Sequence, residues 1–133
     1  MNNDKGFSLI EVLVAITILG ITLGIIMPLF SGAMRSVRAS EEYSQAILLA
    51  KKGMEDTVLM EDIHLGTEEG SFGNGYTWKR TISPFEISEE EEYLNENLPF
   101  NLYDVEVKVE WMSASVEKAM SLRSVILREA AEE

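Results

Sequence analysis

The stretch FSLIEVLVAITILGITLGIIMPLF, residues 7–30, carries one charge, Glu11. As a helix, these 24 residues extend about 36 Å, more than the roughly 30 Å of a bilayer's hydrocarbon core. A cleaved secretory signal has an apolar stretch of about 7–15 residues, closed by a small-residue cleavage site. The run here is longer and no A-x-A-like site clearly closes it, which favours a retained membrane span. A carboxylate at the centre of a membrane helix costs about 2.5–3.5 kcal/mol. Glu11 therefore either sits close enough to the end of the run to reach the headgroups, or has a cationic partner. No Lys or Arg occurs between Phe7 and Phe30. The candidates are Lys5 and an α-amino group made by cleavage before Phe7, on the same chain or on a neighbour.

Gly6-Phe7-Ser8-Leu9-Ile10-Glu11, preceded by a short polar leader with Lys5, resembles the class III signal of type IV pilins and type II secretion pseudopilins. The resemblance implies that a prepilin peptidase cuts after Gly6 on the cytoplasmic side and methylates Phe7. It further implies that Glu11, fifth residue of the mature chain, guides assembly by pairing with a neighbour's N-terminal amine. Pro28 fits the helix break seen in many members. On charge alone, Arg35 and Arg38 follow the span while Lys5 precedes it, a weak bias toward an external N-terminus. The resemblance implies the reverse: a single pass of the inner membrane, with residues 1–6 cytoplasmic and the C-terminal part periplasmic.

The rest of the chain limits the alternatives. The 133 residues allow one small domain plus an appendage. With 23 acidic and 11 basic residues, net −12, the chain lacks the clustered cations of a nucleic-acid binder. Absence of cysteine removes disulfides, thiolate metal sites and Cys nucleophiles. His64 is the only histidine, near an expected helix end. With no nucleophile motif around it, and no way to place two carboxylates across a cleft, catalysis is not the expected activity, and no cofactor is implied.

Beyond the span, Val37, Tyr43, Ile47, Ala50, Met54, Val58 and Ile63 recur near helical spacing, with charged residues at other positions. This predicts an amphipathic stem ending before Gly66, with breaks possible at Pro28 and near Ser31-Gly32. GTEEGSFGNGY, residues 66–76, lacks the phosphate-loop pattern; Asn74-Gly75 reads as a turn. Residues 76–87 favour a strand around Trp78 and Ile82 that Pro84 ends or confines to an edge. The four glutamates at 89–92 read as a solvated loop, because a calcium loop would need alternating acids around a glycine turn. The clearest strand is LYDVEVKVEW, residues 102–111. Tyr103, Val105, Val107, Val109 and Trp111 share one face, and Leu102, Asp104, Glu106, Lys108 and Glu110 the other. Residues 119–128 permit strand or helix; strand is chosen partly on the family resemblance.

The expected fold is α+β and pilin-like: a long N-terminal helix with a small antiparallel head of three or four strands. The expected organisation is a leader at 1–6, a membrane half-helix at 7–30, a stem at 31–65 and a β-rich head at 66–133. Within the family the head is similar to the I-type minor pseudopilin, through Tyr76-x-Trp78, Val105-x-Val107-x-Val109-x-Trp111 and Leu122-Arg123-Ser124. That likeness implies a tip subunit that helps start pseudopilus assembly. Its implied partners are J-type and K-type minor pseudopilins, the major pseudopilin and the prepilin peptidase, with no nucleic acid. A minor pilin of a type IV pilus or DNA-uptake machine would use the same leader, and a single-pass anchor bearing a binding module would leave Gly6 uncut.

Overall fold

The computed structural model describes residues 6–86 and 99–129. The glutamate run at 89–92, expected as a solvated loop, lies outside them. One helix, α1 (Leu9–Val58), precedes four strands, β1 (Gly66–Gly73), β2 (Tyr76–Pro84), β3 (Phe100–Ser113) and β4 (Val116–Glu129). Two compact units divide the chain, Met1–Ser40 and Glu41–Glu133.

In the first unit the helix is long and apolar enough to cross a membrane, and none of its most apolar window is buried within the chain. Ile16, Ile21, Ile25, Leu29 and Phe30 are all well exposed, as expected of a segment whose solvent is lipid. Its threonine hydroxyls are satisfied within the helix: Thr17 donates to the Leu13 carbonyl at 2.8 Å and Thr22 to the Ile18 carbonyl at 2.7 Å. The helix runs unbroken through Pro28 and Ser31-Gly32, where breaks were possible. Pro28 lies inside α1, and the ring removes one donor without ending the helix.

In the second unit, residues 41–58 of α1 pack on a four-stranded antiparallel meander in the order β1-β2-β3-β4. The alternation expected of β3 is observed: Val105, Val107, Val109 and Trp111 are buried. Met54, Ile82, Val105, Val107 and Ile126 form one core cluster, and Ala46, Ala50, Val109 and Trp111 a second. Around the second, Tyr43 meets Trp111 edge-on at 4.9 Å between ring centroids. The Trp111 indole N–H reaches Glu42 Oε2 at 3.4 Å, and the Tyr76 hydroxyl donates to the Glu42 carbonyl at 3.3 Å. Burial, with Glu42 nearby, pushes the Tyr76 phenol above its ordinary range.

The helical face agrees with the expected one at Ala50 and Met54 and differs from it elsewhere. Ala46, Ala50, Met54 and Thr57 are buried, whereas Ile47 and Val58 remain over 40% exposed, at 42% and 45%. The sheet approaches so closely that small residues are needed: a Cβ on Gly53 would sit 3.0 Å from Val107 Cγ1. The helix also ends at Val58 rather than continuing toward Gly66, which opens β1 instead. Its last turn has no basic residue. Arg128 of β4 supplies the cap, donating to the carbonyls of Val58 and, at 2.7 Å, Met60.

Strand β1 forms in spite of its glycine-rich sequence. It is recruited by the Asn74-Gly75 hairpin, whose φ values of 54° and 83° suit a tight two-residue turn. Gly70 is required there, because a Cβ would lie 2.8 Å from the Trp78 ring. Pro84 falls at the end of β2, as expected, and residues 119–128 lie in β4. The β3–β4 hairpin turns through Ala114 and Ser115, both left-handed at φ 47° and 66°, without the glycine or asparagine such positions favour. On the outer face Arg123 holds Asp104 through a two-pronged contact, with Nε at 3.0 Å from Oδ1. That hydrogen bond keeps the Asp104 carboxyl below its ordinary range.

Candidate assembly site at the N-terminus

Gly6 and Phe7 precede the helix. Phe7 is 85% exposed, and a Cβ built on Gly6 meets nothing within 4 Å. Nothing within the described chain therefore demands glycine at position 6.

Ser8 and Glu11 begin the helix together. The Ser8 hydroxyl accepts the Glu11 backbone N–H at 3.3 Å, while Glu11 Oε2 accepts the Ser8 N–H at 3.4 Å and lies 3.5 Å from its hydroxyl. This reciprocal pair is a capping box, which satisfies two backbone donors that a helix start leaves open. The negative charge also stands at the positive end of the helix dipole. The pattern S-x-x-E is legible in the sequence, and it gives Glu11 a partner besides the headgroups and cations. Lys5, one of those cations, lies outside the described residues.

The other candidates do not assemble into a site. His64 is exposed in the connection between α1 and β1, not at the helix end. Among the described residues no group of three or more His, Cys, Asp or Glu side chains could hold a metal ion.

One long apolar N-terminal helix and a four-stranded antiparallel sheet define a pilin-like α+β protein. Residues 1–27, which contain Gly6, Phe7 and Glu11, match the prokaryotic N-terminal methylation motif. The chain is similar to type II secretion system protein I of Xanthomonas campestris pv. campestris, with 33% identity over 92 residues, or 65% of this chain. That match spans 63% of the relative's own length. No solved structure matches the chain.

Proposed function

We propose that the protein is a minor pseudopilin of a type II protein secretion system, a tip subunit that helps initiate the pseudopilus. In this reading prepilin peptidase cuts between Gly6 and Phe7 and methylates the new amino terminus. Residues 7–30 cross the inner membrane with the leader cytoplasmic, and the residues after the span are periplasmic. J-type and K-type minor subunits and the major pseudopilin are the partners. The observation that carries the reading is local: the Gly6-Phe7 bond stands outside the helix, unpacked, just ahead of a capped glutamate and an apolar span. The similarity to a type II secretion protein I favours secretion over a pilus for motility or DNA uptake.

Glu11 has two roles here. Before assembly, its carboxylate is partly satisfied by Ser8, which lowers the cost of holding it beside lipid. In the assembled filament a neighbour's freed amine is a stronger partner, because a charged donor in a low-dielectric setting outweighs a backbone N–H.

Mass spectrometry of the protein from a peptidase-competent host tests the processing. Loss of residues 1–6 with one added methyl group is expected; an intact leader overturns it. Two substitutions separate the roles of Glu11. Glu11→Ala should insert at least as well as the parent and fail to assemble. Ser8→Ala removes the cap, at about 1 kcal/mol, yet leaves the charge, so assembly should persist. Normal pseudopilus formation by Glu11→Ala would reduce that residue to a cap.

A further inference from the structure

The sheet has two edges, and they are built differently. β1 carries the devices that keep an edge from pairing: adjacent Glu68 and Glu69, three glycines, and a register irregularity between Ser71 and Gly73. β4 is 14 residues long, and from 119 to 127 its only charge is Arg123. Arg123 is engaged with Asp104 on the outer face. Among the described residues β4 pairs only with β3. Every second residue of an antiparallel strand turns its N–H and C=O away from its partner strand, so β4 offers a row of open backbone groups.

An apolar groove of ≈ 380 Å³ lies between β4 and the last turns of α1, lined by Lys51, Met54, Glu55, Val58, Leu59 and Leu122. Leu59 is 80% exposed and Val58 45%. The face of β4 shared with Leu122 also carries Met120, Ile126, Lys118 and Arg128, and no carboxylate. This charge balance is opposite to that of its surroundings. Residues 41–133 hold 21 acidic against 8 basic residues, hence a net charge of −13.

We propose that the free edge of β4, with the groove beside it, receives an extended segment of another protein, apolar at alternate positions and bearing a carboxylate. Backbone groups of β4 supply the hydrogen bonds. Met54, Val58, Leu59 and Leu122 receive the inward side chains, the division of labour seen in strand addition. Lys118 on the β4 face favours the acid, whereas in the groove Lys51 is offset by Glu55. A second copy of this chain is disfavoured as the occupant, since pairing the edges would bring together two units of net −13. The inference requires no cut at Gly6, so it stands or falls separately from the processing reading.

Amide hydrogen exchange of the full chain in detergent tests it, with a capped octapeptide that alternates valine and threonine and ends in glutamate as the probe. The peptide should slow alternate amides between 119 and 127 by roughly tenfold near saturation and leave β1 unchanged. Leu59→Asp, at an exposed position outside the sheet, should abolish the slowing, and Lys51→Glu should weaken it. Four results would overturn the proposal: no slowing at saturating peptide, equal slowing by an all-threonine peptide, protection of β1 instead, or full slowing in Leu59→Asp. Sedimentation that shows a concentration-dependent dimer sensitive to Leu59→Asp would assign the edge to a second copy and equally remove it.

Discussion

The two stretches of α1 obey different rules. In residues 9–40 the large apolar side chains are exposed. With residues 7–30 in the membrane, as proposed, hydrophobicity alone would matter there, because lipid accepts any apolar shape. In residues 41–58 the buried positions include Ala46, Ala50 and Thr57, while Ile47 and Leu48 stay exposed. There shape decides, because a sheet at close range admits only what its own side chains leave room for. Glycine shows the contrast in one residue type. Gly20, Gly24 and Gly32 have open space where a side chain would go, and Gly53 has Val107.

The comparison can be broken most forcefully at Trp111, which β3 presents to Tyr43, Tyr76 and Glu42. Trp111→Ala should destabilise the C-terminal unit by about 3–5 kcal/mol, read by denaturant titration of the full chain in detergent with Trp78 as the fluorophore. Membrane insertion should be unchanged. A loss of insertion would show that the two stretches are not independent.

Arg128→Ala comes next, at about 1.5–3 kcal/mol. It removes donors from the Val58 and Met60 carbonyls, and amide exchange should show the last turn of α1 opening before the rest. Uniform loss of protection across the unit would mean that Arg128 holds the sheet rather than the helix end.

Gly53→Leu and Gly24→Leu form a matched pair. Overpacking at Gly53 should cost about 1–3 kcal/mol, whereas Gly24→Leu should leave the unfolding midpoint where it was. If both substitutions destabilise the isolated chain equally, the distinction between lipid-facing and sheet-facing glycines fails. The smallest expected effect is a gain. Ser115→Gly relieves a left-handed serine and should stabilise the hairpin by about 1 kcal/mol, visible as a small rise in the same midpoint.

Much of this protein was legible from residue order. An apolar run of bilayer length, a strict alternation through 102–111, an Asn-Gly turn and a proline at a strand end are each local signals, and each element forms as those signals require. Glu11 and Ser8 belong with them, since a capping box is a matter of spacing within one turn. The tertiary structure alone decided the rest. It chose the small-residue face of α1, which no hydrophobicity ranking selects. It turned the ambiguous residues 119–128 into β4 by offering β3's free side, and it made a strand of 66–73 by pairing it with β2. It also ended the helix at Val58 by means of an arginine from β4. For the helix face and the helix end the deciding partner lies far along the chain, and for the two strands it lies across a hairpin. A sequence records distance between neighbours in order, whereas close packing and backbone pairing depend on neighbours in space.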